Sequence, residues 1–306
     1  MDHAVTRRTF LAGSAACAAA LARPALGSQP ALRPVVPGVW FYQGDFLANG
    51  QCNSVIIERR SDLVVVDANS PGGALALQAE LRKLSPKPVR QVLLTHHHGD
   101  HIYGNALWTR AGASTLAHHA MLPELVRLEP ARWRSQAAND TQLAALGDAP
   151  QPPSQTFDGP LLVLDEGGRR IELHHFGAAH TQDDVLVYLP QDGVLCAGDV
   201  ALSMALNSFF DADFDHWPRV LQAASRLDAR HLLPGHGSPG GPEILTGQAQ
   251  FLAALAEAID RGIREHSEPA QIAAALRLPD SLQPWASSFM AEQIKQILAL
   301  RGVAVH

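Results

Sequence analysis

Four side chains able to bind a metal stand within six residues, in the run His96-x-His98-x-Asp100-His101. On a strand, alternate residues share a face, and on a helix the shared spacing is three or four. Neither geometry turns all four donors the same way. An irregular loop can aim them at two points, and Gly99 supplies the backbone freedom such a loop needs. Imidazole and carboxylate donors together are those of catalytic zinc, which keeps an open position for water. A pair of such ions acidifies water near neutral pH and polarises a carbonyl, which is the chemistry of hydrolysis. The competing reading, a solvated polar loop, fits this spacing poorly.

A pair of ions needs more donors, and the second half of the chain offers three. His180 follows Gly177-Ala178-Ala179, Asp199 ends the apolar run Val194–Gly198, and His236 lies in Pro234-Gly235-His236-Gly237. Each alone reads more often as a structural or surface residue. Taken with the first run they complete a set of seven, of which Asp100 is also the candidate catalytic group, able to orient a nucleophile or relay its proton. Asp67 and Asp184 read equally as hydrogen-bond partners of ligand imidazoles or as turn and cap residues. His97 is expected to point away from the metals. His118, His119, His174 and His175 read as surface or loop histidines. Asn207, Phe209 and Phe210 either line a substrate mouth or pack in the interior. No Gly-x-Ser-x-Gly elbow competes for the chemistry.

Strand-like runs precede these donors. They fall at Gly38–Tyr42, Ser54–Ile57, Leu63–Asp67, Val89–Leu94 and Ser114–Ala117 in the first half. In the second half they fall at Leu161–Leu164, Arg170–Phe176, Val185–Leu189, Val194–Ala197 and His231–Leu233. Ser70 and Pro71 read as the cap and first residue of a helix to Leu84. Further helices are expected near Tyr103–Arg110, Ala120–Leu128, Ala131–Leu146 and Trp217–Leu227. The tail reads as helical over Pro242–Glu265, Pro269–Leu276 and Trp285–Leu300, a C-terminal extension from about residue 241. The Pro-rich stretch Asp148–Ser154 divides the two halves. The pattern predicts an α/β fold, with two mixed sheets face to face and helices outside, a four-layer αββα sandwich.

The first 27 residues read as a targeting segment rather than as fold. Thr6-Arg7-Arg8-Thr9-Phe10-Leu11 precedes an Ala-rich stretch, and Ala25-Leu26-Gly27 offers small residues for cleavage. This resembles a twin-arginine signal and predicts a periplasmic or secreted protein. Residues 28–306 then form the functional domain. The formal charge of −6 deepens by two when the segment leaves, so nucleic acid is a poor partner. Beyond the N-terminus no apolar run is long enough to span a bilayer. A small molecule is the expected partner, and the oligomeric state stays open. Cys52 and Cys196 lie in apolar runs and read as buried thiols, with their pairing open.

The His-x-His-x-Asp-His run followed by His180, Asp199 and His236 resembles the metallo-β-lactamase superfamily over about residues 35–240. The resemblance implies two zinc ions per chain. One would be held by His96, His98 and His180, the other by Asp100, His101 and His236, with Asp199 bridging and a metal-bound hydroxide as nucleophile. β-Lactamases proper generally lack an aspartate at the position of Asp199, so the chain is more similar to lactonases and related hydrolases of ester, lactone, thioester or amide bonds. Asp100-His101-Ile102-Tyr103-Gly104, the signal and Val185–Pro190 resemble the zinc metallohydrolases of quinoprotein relay systems. Two alternatives stay open: a β-lactamase proper, and an iron-dependent oxidoreductase on the same fold, similar to persulfide dioxygenases.

Overall fold

A computed structural model describes residues 32–203, 207–285 and 287–303. The signal read at residues 1–27 lies outside the described residues. The first sheet holds β1 (Leu32–Val36), β2 (Val39–Tyr42), β3 (Ser54–Glu58), β4 (Leu63–Val66), β5 (Val89–Leu93), β6 (Ser114–His118) and β7 (Gln155–Phe157), in that spatial order. Pairing is antiparallel from β1 to β4 and parallel from β4 to β7. The second sheet holds β8 (Leu161–Leu164), β9 (Ile171–His174), β10 (Leu186–Leu189), β11 (Val194–Gly198) and β12 (His231–Pro234). It is antiparallel except for the β11–β12 pair.

Side-chain alternation explains the layers. Val55, Ile57, Val64 and Val66 of the first sheet meet Val187, Leu189, Val194 and Cys196 of the second in one buried cluster. The residues between them point outward. Ile56 and Val65 pack under helices carrying Leu77, Trp108 and Trp133. Leu186 and Leu195 pack under Trp217, Phe251 and Ile297. Runs such as Leu63–Val66 are therefore buried on both faces, which is why they read as continuous apolar stretches. The expected two-sheet sandwich with outer helices is what the chain forms.

Several local readings hold closely. Ser70 caps the helix Pro71–Leu84, its side chain accepting from the Gly73 amide. Others shift for visible reasons. The single helix expected over Ala131–Leu146 breaks into Glu129–Ala137 and Thr141–Ala144, because Asp140 takes a cap conformation and accepts from the Gln142 and Leu143 amides. The last helix begins later than expected, at Met290, after a short 3-10 turn over Asp280–Trp285. The edge strands β1 and β7 were not expected. The tail is no appendage: the helix Glu243–Arg264 and the helix Met290–Leu300 bury Phe251, Leu252, Leu255, Ile259, Ile294 and Ile297 in the cluster that covers the second sheet.

Candidate metal centre

The donors gather because their loops leave strand ends on one rim of the sandwich. β5 runs into Thr95–His101, β11 ends at Asp199, β12 runs into His236, and His180 lies between β9 and β10. Cross-links tie these loops together. The Val185 amide donates to the Thr95 carbonyl, and the Asn53 side chain donates to the carbonyls of Pro234 and Gly237. Gly235 is required by proximity, since a Cβ there would sit 2.0 Å from Asp199 Oδ1. Gly198, at φ +51°, is also tightly placed, with a built Cβ 2.7 Å from Thr95 Oγ1.

All seven expected donors converge. His96, His98 and His180 each bring a ring nitrogen within 4.8 Å of the others, and a carboxylate oxygen of Asp100 lies within the same distance of ring nitrogens of His101 and His236. His98 Nδ1 lies 2.9 Å from His180 Nε2. His236 Nε2 lies 3.0 Å from Asp100 Oδ2, and His101 Nε2 lies 3.4 Å from His236 Nε2 and 3.4 Å from Asp199 Oδ1. Asp199 stands between the groups: its Oδ2 is 3.5 Å from His180 Nε2 and 3.5 Å from His236 Nε2. Tetrahedral zinc, with bonds of ~2.0–2.1 Å, spaces its donor atoms ~3.3 Å apart, close to these separations. The donor set fits such an ion in a second way. His96 Nε2 and Asp199 Oδ1 are buried without a hydrogen-bond partner, a costly state for a polar atom that coordination relieves.

Neighbouring groups fix which ring nitrogen each histidine presents. Thr95 Oγ1 donates its proton to Asp67 Oδ2 at 3.0 Å, so it is left to accept from His96 Nδ1 at 3.0 Å. His101 Nδ1 donates to Asp67 Oδ2 at 2.8 Å. Both rings therefore turn Nε2 to the cluster. Asp67, at φ +66°, thus orients both candidate-ligand rings, one of the two readings that the sequence left open. Burial and the facing imidazoles hold His96 well below the usual histidine range, and burial above all brings His180 to about 3. These two rings are neutral and offer lone pairs. Burial works against ionising Asp100 and Asp199, but the nearby histidines outweigh it and hold both carboxyls low.

The remaining expectations are decided one by one, some met and some corrected. Among the described residues the Asp184 carboxyl hydrogen-bonds to no candidate ligand ring; it braces the turn after His180, accepting from the Thr181 amide and hydroxyl. Burial pushes it up to about 8. His118 and His174 are buried at strand ends rather than at the surface, with His118 stacked on His175 at 3.9 Å; His119 alone of the four is exposed. Phe209 packs in the interior against Phe214 and Trp217, and Asn207 is buried against Gln248, while Phe210 is 44% exposed. Cys52 and Cys196 are free, buried thiols. His97 does point away from the donors, toward Asp183 at 2.6 Å. Sequence reading missed Asp183, Asp211 and Arg132, which lie behind the histidine run, and no motif marks them. It also missed Phe46, whose half-exposed ring stands 5.0 Å from the His236 ring.

A family model described as the metallo-beta-lactamase superfamily matches residues 47–236, and the chain belongs to that superfamily. The chain is 26% identical over 162 residues to a metallo-beta-lactamase type 2 of Bacteroides fragilis, an alignment covering 51% of this chain and 57% of that protein. It is 26% identical over 200 residues to the metallo-beta-lactamase type 2 of Bacillus cereus, covering 63% of this chain and 70% of that one. The chain thus spans little more than half the length of the Bacteroides protein. A solved metallo-beta-lactamase from Pontibacter korlensis superposes with a TM-score of 0.60 at 22% identity, over 74% of this chain and 99% of that one, a likeness of fold. The superfamily match points to a metal-dependent hydrolase.

Proposed function

We propose that the mature chain is an exported binuclear zinc hydrolase that cleaves an ester, lactone, thioester or amide bond of a small molecule. The observation that carries this reading is Asp199, whose carboxylate lies 3.5 Å from His180 of one donor group and 3.5 Å from His236 of the other. A carboxylate so placed would offset the mutual repulsion of two dications held by these groups. Zinc bound here would supply Lewis-acid polarisation of the scissile carbonyl and a water acidified toward neutral pH. The chain's own part is to hold and orient. Asp67 and Thr95 fix the His96 and His101 rings. Asp100, 16% exposed at its side chain, faces the same space and can accept and return a proton.

The names of the relatives favour a second reading, a β-lactamase proper. Asp199 counts against it. Turnover of an ester, lactone, thioester and β-lactam panel separates the two. We expect hydrolysis of an acyl ester, lactone or thioester, abolished by a chelator and restored by zinc. Turnover confined to β-lactams would favour the second reading, and chelator-insensitive turnover would remove the metal from the account.

Export rests on Thr6–Leu11. Replacing Arg7 and Arg8 with Lys is expected to leave the protein in the cytoplasm as a longer, uncleaved chain. Cell fractionation checks this, and unchanged delivery would sink the twin-arginine reading.

A further inference from the structure

Behind the histidine run lies an ionic chain that no candidate ligand explains. Asp211 is nearly buried, with its side chain 6% exposed. Its Oδ2 accepts from His98 Nε2 at 2.9 Å and from Arg132 Nη2 at 2.7 Å, and lies 3.5 Å from His97 Nε2. Arg132 is held in turn by Glu129 Oε1 at 2.9 Å, and Glu129, fully buried, accepts from the Tyr103 hydroxyl at 2.6 Å. The chain therefore anchors on the helix Glu129–Ala137. Asp211 itself is fixed by its neighbours, for Phe209 and Phe214 on either side are sunk in the core.

The geometry selects one state of His98. A carboxylate whose oxygen already faces a guanidinium can only accept, so His98 Nε2 must carry the proton. That leaves the Nδ1 lone pair directed at His180, 2.9 Å away. The ring thus presents Nδ1, whereas His96 and His101 present Nε2. His97, His98 and Asp211 also cluster closely enough to suggest a cation site of their own. The Arg132 guanidinium already supplies the positive charge at that carboxylate, and a dication beside it would be repelled.

We propose that Asp211, backed by Arg132, is the positioning residue for His98, setting its tautomer and its aim at the His96–His180 donors. This rests on the binuclear reading. Partners of this kind raise the basicity of a ligating imidazole, and their loss costs ~10–100-fold in metal affinity.

The test is zinc affinity of the whole mature chain, by competition with a chromogenic chelator, together with the absorption spectrum of the cobalt(II)-substituted protein. Asp211→Ala is expected to weaken one of the two zinc sites ~10–100-fold and to alter the cobalt spectrum. Asp211→Asn keeps the volume and one acceptor but not the charge, so it should fold and weaken the same site by a smaller factor. Arg132→Met should move affinity the same way as Asp211→Asn. Wild-type affinity and an unchanged spectrum in Asp211→Asn would overturn the proposal while leaving the hydrolase reading intact. A wild-type chain that binds no zinc would take down both.

Discussion

Asp199→Ala is expected to lower the metal content toward one zinc per chain, cut turnover at least ~100-fold and leave the fold standing. The carboxylate lies between the two donor groups with its side chain 9% exposed, so its loss removes a buried negative charge from the space they share. If two zinc ions are held here as proposed, they would repel more strongly without it and nothing would set their separation. Misplacing a reacting atom by ~1 Å can cost ~100-fold in rate. His96, His98 and His180 still make a three-donor site, so one ion should stay. The fold should survive because the Gly198 carbonyl is held by the Gly235 amide at 2.7 Å, a bond that does not use the Asp199 side chain. If Asp199 were only a turn residue, the variant would lose ~1 kcal/mol and keep both metals and its activity. Zinc stoichiometry, melting temperature and turnover on one preparation separate these outcomes.

Ending the chain after residue 241 is expected to give insoluble protein. The deleted segment supplies Phe251, Leu252, Leu255, Ile259, Ile294, Ile297 and Leu298 to the cluster that covers Leu186, Leu195 and Leu232 of the second sheet. Burying such a side chain is worth ~1.5–3 kcal/mol. Several together exceed the ~5–15 kcal/mol by which a domain of this kind outweighs its unfolded state. The cut would also bare the outer face of β10 and β11. Soluble expression with a native circular dichroism spectrum would show the tail to be a dispensable addition.

The seven candidate donors were legible because metal chemistry restricts residue type and because each follows a recognisable apolar strand; the structure brings them together. Asp67 was visible for the same reason, as the polar end of Leu63–Val66. Asp211 was not: it meets His98 across 113 positions, and its loop carries no motif. Asp183 was passed over in favour of its neighbour Asp184, since adjacent carboxylates cannot be ranked without knowing which faces inward. Strands such as Ser54–Glu58 and Leu63–Val66 were legible as continuous apolar runs, but with both faces buried the sequence did not say which side chains face the other sheet and which the helices. β7 was not, because Gln155 and Thr156 are exposed and only Phe157 reaches the core. The tail's helices were legible, but their burial was not, since an amphipathic stripe does not say what it covers.

Elemental analysis of the protein, purified without added metal, tests the central claim most directly. Two imidazole-rich donor groups joined by one carboxylate predict about two zinc atoms per chain. One iron and no zinc would contradict the hydrolase account and move the chain to the oxidoreductase reading.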